Sequence, residues 1–275
     1  MGSRDLRAVS IGGHAFRVLI GRPRTGRVAS VFRHGLNVLF DDEADPVLIS
    51  MQTADVPLHP FAVEVRRPPN AREGEEVSAD SRCLRFGAGD RVAFGDTASD
   101  DLRIAPYSPD ESNRARTRQP LLDRLLAERS PDRDSDPFRS RIDGILAAWR
   151  TTGGIRVLRD LVGLGAGSTP AGDDALVGLI AGLTALENVA HEAKAALRGL
   201  RSAPHEARGL TSLASAQMID AALDGSFPEP LRDLVERLGS EAAIESDIQH
   251  AAHRVAALGA TSGRMMLRGL AATLG

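Results

Sequence analysis

Short apolar runs recur through the first hundred residues, separated by Gly, Pro and Asp. Their spacing, about ten residues, is typical of a sheet with hairpins and is compatible with a barrel. The runs predict strands at Ala15–Ile20, Val28–Phe32, Leu36–Phe40, Val47–Ser50, Phe61–Val65, Cys83–Phe86 and Arg91–Phe94.

Two polar stretches interrupt the apolar pattern after the predicted strands. The segment Thr97–Gln119 contains two prolines and many Asp, Ser, Asn and Arg residues, which predicts a linker or a long surface loop. A second stretch, Arg129–Asp136, has the same character. Helical patterns lie beside these stretches, at Pro120–Glu128 and Pro137–Arg150.

From Ile155 onward the apolar residues recur at helical spacing. The pattern predicts helices at Ile155–Val162, Asp173–Arg201, Ala207–Asp224, Glu229–Gly239, Ile244–Leu258 and Ser262–Leu274. We therefore expect an α+β protein whose β-rich N-terminal part, barrel-like in one interpretation, precedes a helical C-terminal part. The predicted domains are residues 1–110 and 111–275.

Composition excludes several classes of function. The net charge of −3 disfavours a surface that coats nucleic acid, and the single cysteine excludes an internal disulfide and a zinc site built on several thiolates. Lys194 is the only lysine and lies outside any Gly-Lys-Ser/Thr tripeptide, so no P-loop is present. No signal peptide or membrane span is visible, and we expect a cytoplasmic protein without nucleic-acid or membrane partners.

The strongest chemical signal is the segment GLGAGSTPAGDD, which covers residues 163–174 and leads into an apolar helix. Glycines allow positive φ angles and close approach of a ligand, and the N-terminus of a helix favours an anion. Asp173 and Asp174 suit a magnesium ion or a substrate amide. A structural alternative stays open, because Asp also caps helices and glycines also permit tight packing. The candidate substrate-binding residues of this loop are Gly165, Gly167, Ser168, Thr169 and Gly172.

A second loop, Gly259–Gly263, has the same character of small hydroxyl residues between glycines at the start of a helix. Thr261, Ser262 and Gly263 would bind a small anionic substrate if the two helix ends faced one another. Spacing alone favours the simpler interpretation, in which Thr261 or Ser262 caps the last helix.

The first loop resembles the G-L-G-x-G-x-T-P-S-G-D-D signature of a bacterial family of formerly unknown function. That family includes the H subunit of oxamate carbamoyltransferase, an enzyme of anaerobic allantoin degradation. Three further segments agree in order with the family's pattern: residues 26–32 followed by Asn37, Thr211 and Ser215 followed by residues 225–231, and Gly259–Gly263. Two departures stand out: Ala260 replaces a frequent His, and Ser168 and Ala171 replace the usual Leu and Ser.

The resemblance implies a carbamoyltransferase subunit that acts with other enzyme subunits, and that forms a homo-oligomer in one interpretation. The substrates would be carbamoyl phosphate and a small carboxylate-bearing amide such as oxamate. Asp173 and Asp174 would be catalytic, magnesium is a candidate cofactor, and Asn37 joins the substrate-binding residues. The alternative is a non-catalytic subunit that binds a small anion or serves as a scaffold, which the absence of a histidine at Ala260 favours.

Overall fold

A computed structural model of the protein describes residues 4–41, 46–87, 89–128, 137–202 and 209–275. The chain forms two compact units, Met1–Leu102 and Arg103–Gly275. None of the described helices is long and apolar enough to cross a membrane.

The first unit is a strongly curved sheet that closes on itself. Its strands follow the order β5-β4-β3-β2-β6-β7-β8-β1, and β1 also pairs with β5, so these eight strands form a closed barrel. The two-residue β9 extends the edge of β1 beyond β8. The elements are β1 (Asp5–Gly12), α1 (Gly13–Gly21), β2 (Arg24–Phe32), β3 (Gly35–Phe40), β4 (Val47–Gln52), β5 (Ala62–Val65), β6 (Glu76–Ala79), β7 (Cys83–Phe86), β8 (Arg91–Ala93) and β9 (Ser99–Asp100).

Side chains that alternate along the strands point into the barrel and fill it. Along β3, Val38 and Phe40 are fully buried, and they lie opposite Ile49 and Val47 of β4 in the antiparallel register. Residues two apart on a strand share a face, so β3 and β4 each contribute a buried row to the core. The barrel suggested by the sequence is therefore confirmed.

One predicted strand is wrong. Ala15–Ile20 lies within α1, where Ala15 and Leu19 are both buried one helical turn apart. A short apolar run fits a strand and a buried helix equally well, and the contact of this segment with the rest of the unit decides between them. The amide of Ala15 donates to the Pro60 carbonyl at 2.9 Å, which fixes the start of α1. Three strands, β1, β6 and β9, were not predicted.

The second unit is helical, as predicted, and α5 lies at its centre with every residue buried. Its helices are α2 (Pro109–Ala127), α3 (Arg139–Thr152), α4 (Ile155–Leu158) followed by a 3-10 turn (Arg159–Leu161), α5 (Ala171–Leu186), α6 (His191–Ser202), α7 (Leu213–Leu223), α8 (Glu229–Gly239), α9 (Glu245–Ala256) and α10 (Ser262–Leu274). The α+β fold class is confirmed.

Helices α5 and α10 touch through their backbones. A Cβ atom on Gly178 would lie 1.9 Å from the Met266 carbonyl oxygen, and one on Gly269 would lie 1.9 Å from the Ala175 carbonyl oxygen. Small residues at these positions let the two helices approach closely, which fixes the start of α10 relative to the start of α5.

The linker predicted at Thr97–Gln119 is wrong from Pro109 onward, where α2 begins. Ser108 and Glu111 form a capping box at its start. Arg118 donates to four carbonyl oxygens at and beyond the end of α8, at 2.6–3.0 Å. Arg114 adds a bond to the Gly239 carbonyl at 2.7 Å. The polar residues that suggest a loop thus hold two helices together.

Of two further predicted segments, one helix is wrong in its length and one loop lies outside the residues that the structure describes. The helix predicted at Asp173–Arg201 is two helices, α5 and α6, separated at residues 187–190. The predicted loop at Arg129–Asp136 lies outside the described residues.

Candidate functional site

The glycine-rich loop between the 3-10 turn and α5 depends on its glycines for two different reasons. Gly163, Gly165 and Gly167 have φ angles of 70°, 133° and 96°, in the left-handed region that favours glycine. A Cβ atom on Gly165 would lie 2.6 Å from the Ala171 nitrogen, and one on Gly172 would lie 2.0 Å from the Leu161 carbonyl oxygen. At Gly167 no atom lies within 4 Å of the added Cβ. The loop is therefore tightly packed at both ends and open at Gly167.

The open middle of the loop presents backbone donors. Ala166, Gly167 and Ser168 are exposed. Among the described residues, none accepts a hydrogen bond from the amides of residues 165–169. Consecutive unengaged amides at the entrance to a helix are a common arrangement for binding phosphate or carboxylate oxygens.

Asp173 holds the glycine-rich loop in place through hydrogen bonds to its side chain. It is 1% exposed, and its Oδ1 accepts the Gly163 amide at 2.8 Å while its Oδ2 accepts the Thr211 hydroxyl. Burial raises the pKa of this carboxyl, and donation from Thr211 and Gly163 acts in the opposite direction. One carboxylate thus ties the start of the loop, the first turn of α5 and the segment before α7 together.

Asp174, the second predicted catalytic residue, is 5% exposed in the first turn of α5. The dipole of α5 favours a carboxylate there. Within the described part of the chain, no group of three or more His, Cys, Asp or Glu side chains could hold a metal ion. Magnesium at Asp173 and Asp174 stays a prediction, and it would have to share Asp173 with the two hydrogen bonds that this carboxylate already accepts.

The start of α7 joins the loop through residues that the predicted site did not include. Ser212 is the N-cap of α7, where its Oγ accepts the Ser215 amide at 3.1 Å and donates to the Ser168 carbonyl at 2.5 Å. Ser215 is 2% exposed, and its side chain acts on Asp173, whose pKa it lowers. The sequence signal for the start of α7 is Ser212, a serine directly before an apolar helical pattern.

The start of α10 contacts the loop on another side. The hydroxyls of Thr169 and Ser262 lie 3.2 Å apart, so the two loops singled out in the sequence face one another. Thr261 is the N-cap of α10 but its side chain makes no cap bond. Gly263 is buried, and a Cβ atom added to it would lie 1.7 Å from the Val255 carbonyl oxygen. This glycine therefore has a packing role.

The N-termini of three helices therefore meet around one glycine-rich loop: α5 continues from it, α7 contacts Ser168, and α10 contacts Thr169. Each helix N-terminus carries roughly half a positive charge. We call residues 163–174 with Thr211, Ser212, Thr261 and Ser262 the helix-start site.

Asn37 belongs to the barrel unit. It lies on β3, where its Nδ2 donates to Ser30 Oγ at 3.0 Å and its Oδ1 accepts from Ser50 Oγ at 2.8 Å. The three side chains form a half-buried polar row across β2, β3 and β4. This row accounts for the Asn of the sequence motif in structural terms, and its role in substrate binding stays a prediction.

Fold and site together define an α+β protein with a closed barrel unit and a helical unit that gathers helix N-termini around a glycine-rich loop. Comparison with protein-family models matches residues 161–274 to the oxamate carbamoyltransferase subunit AllH, and residues 7–104 to the AllH family N-terminal domain. The chain belongs to this family. The comparisons with curated proteins and with solved structures give no match.

Proposed function

We propose that this chain is a carbamoyltransferase subunit that acts with partner chains on a small carboxylate-bearing amide such as oxamate, with carbamoyl phosphate as the donor. The observation that carries the proposal is the contact of Thr169 with Ser262, together with that of Ser212 with Ser168. These contacts bring the starts of α5, α7 and α10 to one loop whose amides are unengaged. Membership of a family described as an enzyme subunit supports the same reaction class.

The site suits a small anion of low charge. Three helix N-termini supply roughly 1.5 positive charges in total. Two carboxyls oppose an anion, but both oxygens of Asp173 already accept hydrogen bonds within the protein, from Gly163 and Thr211. In this proposal the amides of residues 165–169 bind the carboxylate of the acceptor or the phosphate of the donor.

The carboxyls take different roles in this proposal. Asp174 orients the acceptor amide nitrogen for attack on the carbonyl carbon of carbamoyl phosphate. The new N–C bond replaces the C–O bond to phosphate, which leaves and takes up the proton that the nitrogen loses. Asp173 acts as a positioning residue, because its oxygens hold Gly163 and Thr211. Partner subunits, a homo-oligomer and a cytoplasmic location stay predictions of the same proposal.

One observation favours a second candidate, a non-catalytic subunit that binds a small anion or stabilises its partners. Both oxygens of the most buried carboxylate serve the packing of the loop, and Ala260 supplies no imidazole for proton transfer. Catalysis would then lie on a partner chain.

A carbamoyl-transfer assay on the assembled complex tests the proposal. We expect transfer to oxamate or a related acceptor, and at least a hundredfold loss with Asp174→Asn while the complex stays assembled; one hydrogen bond made only in the transition state is worth about that much. Full activity of Asp174→Asn would favour the non-catalytic candidate. The absence of transfer in the complete complex, with several acceptors tried, would overturn the reaction class.

A thermal melt of the isolated chain tests ligand binding separately. Oxamate or carbamoyl phosphate at a hundred times its dissociation constant should stabilise the chain by about 2.7 kcal/mol. Comparison of the two ligands with inorganic phosphate distinguishes a carboxylate site from a phosphate site.

A further inference from the structure

A cleft opens in the wall of the barrel unit where β1 and β5 separate. Strand β1 pairs with β5 only from Ala8 onward, while its residues 5–7 pair with β8 on the opposite edge. On the other side of the cleft, β5 ends at Val65 and is followed by Arg66, Arg67 and two prolines. Because proline has no amide hydrogen, the chain after Arg67 cannot extend the ladder along β1.

The cleft is large enough for a small molecule. Its cavity volume is about 570 Å³, and it is lined by residues 5–9 of β1 and by Arg66 and Arg67. Small-molecule sites typically measure about 300–1,000 Å³. Leu6 and the exposed Val9 supply apolar surface to a lining that otherwise carries charge.

Both rims of the cleft are fixed by one carboxylate. Asp90, whose side chain is 4% exposed, accepts the Arg4 amide at 3.2 Å and forms an ion pair with the Arg4 guanidinium just before β1. It also accepts the Asn70 amide at 2.8 Å, just after the two prolines. The segments on either side of the cleft are therefore anchored to the same side chain. Preorganisation of this kind lowers the free-energy cost of binding.

The charge of the cleft is strongly positive. Arg7, Arg66 and Arg67 form no hydrogen bond and no ion pair with other residues in the described part of the chain. Asp5 is the only acidic residue of the lining, and it is 82% exposed and lies 3.8 Å from Arg91. Three arginines thus line one cavity with a single acidic residue, whereas the Arg118 guanidinium donates to four carbonyl oxygens.

We propose that this cleft binds a small polyanion that carries at least two carboxylate or phosphate groups. Guanidinium groups bind both types of group through paired, charge-assisted hydrogen bonds, and three of them exceed what one monoanion can satisfy. We call it the arginine cleft. It lies in the barrel unit, so it is independent of the helix-start site and of the proposed reaction.

Calorimetric titration of the full chain tests the proposal, with inorganic pyrophosphate and with tricarballylate as the two probes. We expect one of them to bind with one-to-one stoichiometry below about 1 mM. The double variant Arg66→Gln/Arg67→Gln should bind that probe about tenfold more weakly or worse, since it loses two charge-assisted contacts. Its melting temperature should equal that of the wild type, because neither arginine has a partner to lose.

Two matched variants locate the bound probe. Arg33→Gln removes an exposed arginine of the same unit at the turn between β2 and β3, and should leave the affinity unchanged. Thr169→Val/Ser262→Ala alters the helix-start site and should also leave it unchanged. The proposal is overturned if neither probe binds, if Arg33→Gln weakens binding as much as the double variant does, or if the helix-start variant abolishes binding.

Discussion

In the loop before α5 the groups available to a ligand are backbone amides, hydroxyls and helix N-termini, whereas the cleft beside β1 is lined by guanidinium groups. The helix-start site has two carboxyls built into it, and one of them, Asp173, is part of its framework. The arginine cleft has Asp90 at its rim, paired with Arg4, and only Asp5 among the acidic residues of its lining. The first arrangement favours a small anion of low charge held by directed bonds, and the second favours a ligand with several negative charges.

The two sites also differ in the contacts that fix their geometry. The helix-start site is held by close backbone contacts at glycines, so its geometry depends on the core of the helical unit. The arginine cleft is held by hydrogen bonds to one side chain. Substitutions should therefore affect the two sites through different mechanisms.

Gly172→Ala should have the largest effect. Its Cβ would lie 2.0 Å from the Leu161 carbonyl oxygen, so the backbone must move, at a cost of about 3 kcal/mol of unfolding free energy or more. Gly167→Ala meets no neighbouring atom and should cost about 1–2 kcal/mol through its φ of 96° alone. Denaturant unfolding measures both. Equal losses would show that packing does not define this loop.

A control for those variants lies in α3. Gly144 is exposed within the helix and no atom lies within 4 Å of an added Cβ. Gly144→Ala should therefore raise the unfolding free energy by about 0.5–1 kcal/mol, because alanine favours the helix.

Asp173→Ala should come next, with a loss of about 2–3 kcal/mol of unfolding free energy, because it leaves the Gly163 amide and the Thr211 hydroxyl without their acceptor. Thr211→Val removes one donor and should cost about half as much. A double-mutant cycle between the two positions measures their coupling. A coupling energy near zero would contradict the role of Asp173 as the link between the loop and α7.

Arginine substitutions compare guanidinium groups that have partners with those that do not. Arg118→Ala should lower the unfolding free energy by about 2 kcal/mol, because the carbonyl oxygens at the end of α8 lose their donor. Arg66→Gln/Arg67→Gln should change it by less than about 0.5 kcal/mol. A large loss of stability in the double variant would show that these arginines serve the fold.

The smallest expected effect is on the pH dependence of stability, to which Asp173 and Asp90 contribute in opposite directions. Burial raises the pKa of Asp173, so the folded chain binds this proton more tightly than the unfolded chain and stability falls as pH rises above about 4. The hydrogen bonds and charge of Arg4 lower the pKa of Asp90, so its contribution is present above about pH 4 and is lost as pH falls through its folded pKa.

Asparagine variants separate these two titrations. Asp173→Asn should flatten the decrease of stability above about pH 4, and Asp90→Asn should flatten the decrease below it. Urea unfolding across the pH range measures both. Variants with the same pH profile as the wild type would contradict the assigned burial and pairing.

The sequence predicted elements well wherever local pattern and tertiary packing agree. Helices α8 and α10 begin and end at the predicted residues, since each has a clear apolar face and a Pro or Thr-Ser start. The segment Ala15–Ile20 was wrong because a run of β-branched and aromatic residues fits either structure. Helix α2 was predicted only from Pro120 onward, although Ser108 and Glu111 carry the spacing of a capping box, because the surface of its first half is polar and its anchors are arginines.

The shared pattern of the two glycine-hydroxyl loops singled them out, but it did not determine whether they meet. The Thr169–Ser262 contact shows that they do, and their role in binding stays a prediction. Ser212 and Thr211 could not be assigned from pattern alone, since their partners Ser168 and Asp173 are 44 and 38 residues away in the chain. The arginine cleft depends on where β1 exchanges β8 for β5, which periodicity does not encode.

The central claim is that the helix-start site binds the anionic group of a carbamoyl-transfer substrate. Calorimetric titration of the full chain with oxamate and with carbamoyl phosphate tests it most directly, on the wild type, on Thr169→Val/Ser262→Ala and on Arg66→Gln/Arg67→Gln. We predict that one ligand binds the wild type and the arginine variant equally, and binds the helix-start variant about tenfold more weakly or worse. Equal binding to all three proteins, or loss only in the arginine variant, would contradict the claim.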